Sequence, residues 1–220
     1  MNIVLRDFGL RAAAAVTARY RSEGWGNVVE AISPEGSVEF ALRLPGRHNV
    51  ANALAAIAAA GAIGASLHAS AHALASFQPI AGRLQTSAAV GGATIIDDTY
   101  NANPDSVRAA VAVLAERRNA KWLVLGDMGE VGDQGVAFHR EIGEYARAAG
   151  VDRLLTAGEL ASHVVDAFGP GGTHFDNVDS LAAELRSSLT PDVTVLVKGS
   201  RFMRMERVVA AISAIKRREH

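Results

Sequence analysis

The sequence predicts an α/β fold for most of the chain, on three observations. From residue 84 onward, short apolar runs alternate with stretches of helical periodicity. The runs are apolar enough to be buried on both faces of a sheet. Each is followed by an amphipathic segment able to cover that sheet. The expected strands are 84–90, 94–97, 122–125, 153–156, 173–175 and 193–197, and the expected helices are 104–117, 135–149, 159–168, 179–188 and 203–216. The result is a mainly parallel sheet covered on both sides, a Rossmann-like domain.

The first eighty residues follow other rules. Short runs at 15–21, 27–32 and 37–44 are separated by Gly24, Gly26, Pro34 and Gly36, the pattern of hairpins or a meander. The period then changes, with helices expected at 48–63 and 68–77. Gln78, Pro79, Gly82 and Arg83 mark a boundary between two domains.

Composition narrows the function. The 22 Lys and Arg nearly balance the 23 Asp and Glu, which leaves no basic field for a phosphate backbone and so no nucleic-acid partner. The absence of cysteine removes disulfides and thiolate metal sites. The Ala-rich stretches at 11–18 and 51–65 are too short or too interrupted to span a membrane, and Arg6 and Asp7 break any signal-peptide core. These features lead to an expected cytoplasmic location.

Residues 93–106 are the most informative stretch. There an apolar strand ends in Asp97 and Asp98, then in Thr99, Tyr100, Asn101 and Asn103, with a helix starting at Pro104. Polar groups between a strand's carboxyl end and a helix amino terminus are where α/β proteins take ligands. Asp97 and Asp98 fall on opposite faces of a continuing strand, so their roles differ. Asn103 followed by Pro104 suits a helix cap and its first residue.

Other candidates accompany this loop. Asn49 and Asn52 share a helix face beside His48 and can read a purine edge, although for an isolated site capping by His48 or Asn49 is the commoner explanation. Arg83 can grip a phosphate or simply be a solvated charge. Leu125-Gly126-Asp127-Met128-Gly129-Glu130 and Val197-Lys198-Gly199-Ser200-Arg201 both follow apolar strands, and neighbouring strand ends would bring them into one cleft. None of the three lysines, Lys121, Lys198 and Lys216, has a glycine before it, so the chain contains no P-loop. His68 and His72 lie four apart without a third ligand and fit a surface pair better than a metal site.

Taken in this order, the motifs resemble the carboxyl-terminal half of a Mur ligase. The match rests on 44–52, Gly82-Arg83-Leu84, 95–103, 125–130 with Gly132, His139-Arg140-Glu141, and 197–201 with Met205-Glu206. It is closest to the branch that joins D-alanyl-D-alanine to UDP-N-acetylmuramoyl-tripeptide, and it runs from about Phe8 onward. The resemblance implies that 1–80 is a remnant of the central ATP-binding domain and 81–220 the carboxyl-terminal Rossmann-like ligase domain. The P-loop, the magnesium ligands and a modified lysine would lie upstream of Met1, in agreement with the lysine pattern, and this chain would be a fragment inactive by itself.

The implied reaction is ATP-dependent acylation, with Mg2+ required in the full-length enzyme. The tripeptide carboxylate becomes an acyl phosphate, and the dipeptide amine displaces phosphate to form an amide. Implied partners are ATP, UDP-N-acetylmuramoyl-tripeptide and D-alanyl-D-alanine, with no nucleic acid, no membrane span and a monomeric chain. Within that scheme His48, Asn49 and Asn52 would face the adenine and Asp98 the ribose hydroxyls. Arg83 would be the catalytic residue, approaching the phosphates on domain closure, while Asp127, Glu130, Lys198, Ser200 and Arg201 would line the dipeptide pocket. The alternatives are another Mur or folylpolyglutamate-type ligase, or a non-catalytic binding module of the same fold.

Overall fold

The computed structural model describes residues 6–10 and 14–214. They fall into two compact units, Met1–Pro79 and Ile80–His220.

In the first unit β1 (Thr17–Glu23), β2 (Gly26–Ser33) and β3 (Gly36–Leu42) form an antiparallel meander, followed by α1 (Arg47–Ala62) and α2 (Leu67–Ser76). Glu23 pairs with Gly26 and Ser33 with Gly36, so both turns are tight. Gly24 meets the first turn with a φ of 59°, which side chains rarely tolerate. Along β2 the alternate residues Asn27, Val29 and Ala31 are buried. Val29 and Ala31 join Phe40, Leu42, Val50, Leu54 and Ile57 in one apolar core. The buried amide of Asn27 donates to the Leu44 carbonyl at 2.7 Å, which satisfies its burial.

The second unit is a six-stranded sheet in the order β4-β5-β9-β6-β7-β8. Its strands are β4 (Gln85–Ala88), β5 (Thr94–Asp98), β6 (Ala120–Gly126), β7 (Arg153–Ala157), β8 (Gly172–Phe175) and β9 (Val193–Lys198). Only the edge strand β4 runs antiparallel to its neighbour. Ile95, Val124, Leu155, Val195 and Val197 pack with Leu181, Leu185 and Val208, which lie on α6 (Val178–Ser188) and α7 (Glu206–Ile212). Their strand neighbours Ile96, Leu123, Leu125, Leu154 and Leu196 are also buried, and the two-residue period turns them to the other face. There the sheet meets α3 (Pro104–Ala115) and α5 (Ser162–Phe168), and α4 (Gly135–Ala148) packs against both of these helices. Burial on both faces is why these strands read as unbroken apolar runs.

The last strand in sequence, β9, is inserted between β5 and β6. Strand order therefore reverses at β9, and the carboxyl ends of β5, β9 and β6 lie side by side. Open α/β sheets bind ligands at such a reversal.

Three expected elements change. Residues 159–161 do not belong to α5, which begins at Ser162, because the Ala161 amide is taken by the Asp127 carboxylate. The helix expected over 203–216 is only α7; a 3-10 turn at Arg201–Met203 and a left-handed Arg204 (φ 51°) precede it. Beyond it Ser213 bridges to Ala89 and the Ala214 amide donates to the Ala88 carbonyl, so the chain leaves the helix to cover the β4 edge. Residues 215 and 216 lie outside the described residues. The strand expected over 84–90 is β4 alone, because Leu84 is left-handed (φ 53°) and a tight turn occupies Val90–Gly92.

Candidate active site at the strand ends

The site begins with a register. Asp98 is level with Lys198 across β5 and β9, and Lys198 is level with Leu125 of β6. Asp98 and Lys198 thus point to the same face, and Lys198 Nζ pairs with Asp98 Oδ2 at 2.5 Å. Both are withdrawn from water, the lysine side chain 3% and the aspartate side chain 14% exposed. The same ammonium donates to the Asn101 carbonyl at 2.8 Å, while Asp98 Oδ1 accepts the Leu84 amide at 3.2 Å. Asp97, on the other face, accepts both the amide and the hydroxyl of buried Thr99, at 3.1 and 2.7 Å. It braces the loop.

Ser200 ties three loops together. Its hydroxyl donates to the Ala102 carbonyl at 3.0 Å and accepts the Gly129 amide, and its own amide donates to the Asp127 carbonyl at 2.9 Å. Gly199 and Gly126 permit the approach, since a Cβ on Gly199 would lie 2.6 Å from Met205 Cγ and 3.2 Å from Gly126 Cα. Asp127 is buried, and its Oδ1 accepts the Ala161 amide at 2.7 Å. Asn103 caps α3 through a reciprocal pair with Ser106, and Pro104 takes the first helical position.

His139 completes this framework from α4. Its Nε2 lies 3.0 Å from the Met128 amide and its Nδ1 2.7 Å from the Gly135 carbonyl. A backbone N–H can only donate, so Nε2 is bare and Nδ1 carries the proton. Burial is the main reason the ring binds a further proton less readily than an ordinary imidazole.

The charges facing solvent are different ones. Arg83 is exposed, with its guanidinium 4.2 Å above the Tyr100 ring. Glu130 is exposed in a left-handed conformation (φ 58°), and Arg201 is exposed and paired with Glu206 at 3.2 Å. Of the residues expected to line a dipeptide pocket, Lys198 and Ser200 are therefore buried and engaged, Asp127 is partly engaged, and Glu130 and Arg201 present their charges outward. Tyr100 and His139 stand out in the sequence only as members of longer motifs, with no role of their own. The aromatic ring one residue past buried Thr99 is the available signal for Tyr100, and the Gly135–His139 spacing of one helical turn is the signal for His139.

In the first unit Gly46, with a φ of 87°, is the N-cap of α1, and no side chain caps it. Capping by His48 or Asn49 is thereby corrected: Asn49 lies in the first turn and donates to the Pro45 carbonyl at 2.8 Å. His48 is half-buried there, and Asn52 is exposed one turn further on. Among the described residues no group of three or more His, Cys, Asp or Glu could hold a metal ion, and no helix is long and apolar enough to cross a membrane.

This frame of strand-end loops is shared. Residues 82–201 match the family model described as Mur ligase, glutamate ligase domain, and residues 2–60 match the Mur ligase middle domain. The chain belongs to the Mur ligase family. Among curated Mur ligases, the UDP-N-acetylmuramoyl-tripeptide–D-alanyl-D-alanine ligase of Escherichia coli K12 is 43% identical over 182 residues, covering 82% of this chain and 40% of that protein. The Haemophilus influenzae ligase of the same name is 37% identical over 217 residues, covering 96% of this chain and 47% of its own length. The chain thus spans less than half the length of these Mur ligases. A crystal structure of MurF from Acinetobacter baumannii superposes with a TM-score of 0.85 at 32% identity, over 93% of this chain and 46% of that one. A Thermotoga maritima MurF ligase solved in complex with ADP shares the fold at 22% identity, with a TM-score of 0.81 over 94% of this chain and 47% of that one.

Proposed function

We propose that this chain is the part of an ATP-dependent Mur ligase that serves the addition of D-alanyl-D-alanine to UDP-N-acetylmuramoyl-tripeptide. The observation that carries the reading is the convergence of loops 97–103, 126–130 and 198–201 at the strand-order reversal, in a chain 43% identical to a ligase named for that reaction. The first unit corresponds in this reading to the end of a central ATP-binding domain and the second to a carboxyl-terminal ligase domain.

The chemistry divides into two transfers. A carboxylate is a poor electrophile, so the tripeptide carboxylate oxygen first attacks the γ-phosphorus of ATP, releasing ADP and leaving an acyl phosphate. The dipeptide amine then attacks the acyl carbon, loses a proton and expels inorganic phosphate as the amide forms. Water must be kept from the acyl phosphate, which it would hydrolyse. This chain has no glycine-lysine pair with which to grip the transferred phosphate.

Residue roles follow from chemistry and position. Asn49 and Asn52, with His48, are assigned to the adenine, whose edge offers both donors and acceptors. Asp98 is assigned to the ribose hydroxyls, as acids commonly are in nucleotide-binding α/β folds. Arg83, exposed beside Tyr100, is assigned to the phosphates, where its charge would stabilise the transferring group. The outward charges of Arg201 and Glu130 suit the carboxylate and ammonium of the dipeptide, with Asp127 and Ser200 shaping the loops that carry them.

A substrate screen tests this reading. The complete ligase carrying this chain is supplied with ATP, Mg2+ and UDP-N-acetylmuramoyl-tripeptide, and phosphate release is followed with D-alanyl-D-alanine, D-glutamate, L-alanine or diaminopimelate as acceptor. Release should depend on D-alanyl-D-alanine. Faster release with a single amino acid, or with L-glutamate as the amine and a folate as the activated carboxylate, would assign the chain to another branch. A protein that binds nucleotide but turns over nothing would be the non-catalytic module.

A further inference from the structure

We propose that Lys198 is a positioning residue for nucleotide use, acting through Asp98, and not a contact for the incoming dipeptide. The proposal rests on the ligase reading above, and it begins with a lysine whose ammonium is enclosed. Its side chain is 3% exposed, and two of its three protons are directed at Asp98 Oδ2, 2.5 Å away, and the Asn101 carbonyl, 2.8 Å away. Reaching a dipeptide carboxylate would mean abandoning Asp98 and leaving a nearly buried carboxylate unpaired, which is the costly way to break such a pair. Arg201, three residues on, and Glu130, on the loop after β6, already offer exposed charge for that purpose.

What the lysine accomplishes is visible in the bonds that converge on its partner. Both Asp98 oxygens are occupied, Oδ2 by the ammonium and Oδ1 by the Leu84 amide at 3.2 Å, so the carboxylate plane has one orientation. Leu84 follows directly on Arg83, in a turn where Gly82 (φ 74°) and Leu84 (φ 53°) are both left-handed. The Gly82 carbonyl accepts the Tyr100 amide at 3.0 Å, and the Tyr100 ring lies under Arg83. One buried charge on β9 therefore sets the acid assigned to the ribose, the 99–102 loop and, through Asp98, the turn that presents the arginine assigned to the phosphates. Lysine suits this better than arginine, because a compact ammonium can satisfy two oxygens that lie off a single plane.

Two measurements test the inference. In the complete ligase, Lys198→Met should raise the KM for ATP by about tenfold or more, since a charge-assisted bond is lost, while the dipeptide KM moves by less than about twofold. If Lys198 acts through Asp98, adding Lys198→Met to Asp98→Asn should not raise the ATP KM beyond that of the worse single variant. This double variant also removes both buried charges and so guards against a single variant that fails to fold. A raised dipeptide KM with an unchanged ATP KM, or effects that simply multiply in the double variant, would overturn the proposal. In the 220-residue chain itself, the double variant should exchange the Leu84 and Tyr100 amides about tenfold faster than Asp98→Asn or wild type does, while Leu123 in β6 stays protected. Unchanged exchange would contradict the positioning role. Faster exchange in a ligase that ignores D-alanyl-D-alanine would sink the substrate assignment and leave the positioning intact.

Discussion

His139 is fully buried, and each of its ring nitrogens is committed, one accepting from Met128 and the other donating to Gly135. A second proton would set an N–H against the Met128 N–H. Burial, the dominant influence, lowers the proton affinity of the folded ring; the Gly135 carbonyl and the charge of Asp127 oppose this, and His163 adds to it. In the unfolded chain the ring titrates near pH 6.5, about the free imidazole value. Below that pH the unfolded state binds more protons, so the stability this group contributes is present above about pH 6.5 and is lost as pH falls toward the folded value. Urea unfolding of the chain at about pH 5.5 and 7.5 should show wild type losing more stability on acidification than His139→Gln, by at most about 1.4 kcal/mol per pH unit. Parallel losses in the two proteins would mean His139 does not govern the slope. Residue by residue, the sequence is legible where chemistry is local. Asn103 caps α3 because Asn-Pro suits that junction, and Asp97 and Asp98 diverge because strands alternate. The Asp98–Lys198 pair is not legible, because 100 residues separate the partners and only the insertion of β9 beside β5 makes them level.

Elements show where periodicity suffices and where it is overruled. Helix α4 packs on α5 across Gly143, where an added Cβ would press on the Val164 carbonyl and lie 3.0 Å from both Ala167 Cβ and the Phe168 amide. Glycine costs a helix roughly 0.5–1 kcal/mol relative to alanine, so intrinsic propensity alone favours Gly143→Ala. Forcing a methyl group against backbone in a packed interface costs about 1–3 kcal/mol, so the steric cost should outweigh the gain in helix propensity. Thermal melting of Gly143→Ala should show a lowered midpoint; an unchanged or raised one would mean the α4–α5 contact yields easily. The long strand and helix runs are legible because their apolar spacing matches burial on both sheet faces. The start of α5 and the start and end of α7 are not, since tertiary partners decide them: Asp127 takes the Ala161 amide, and Ser213 turns to Ala89.

At the scale of the whole molecule, the chain combines a small meander-and-helix unit with a larger doubly covered sheet whose reversal point gathers the strand-end loops. Hydrophobic period and turn residues make both architectures legible, and the shared motifs make the family legible. The division of labour among the gathered loops becomes readable only from their hydrogen bonds. Arg83, Glu130 and Arg201 face outward while Lys198 and Ser200 hold the frame. On the proposed reading, this chain supplies ribose and acceptor-substrate handling to a ligase but no phosphate-gripping loop. The direct measurement is peptide-bond formation by a hybrid in which this chain replaces the matched portion of the Escherichia coli relative, followed by mass spectrometry beside the 220-residue chain alone, each with ATP, Mg2+, UDP-N-acetylmuramoyl-tripeptide and D-alanyl-D-alanine. The hybrid should yield the dipeptide-extended product and the chain alone should yield none. Product from the chain alone, or a folded, nucleotide-binding hybrid that makes none, would contradict that division of labour.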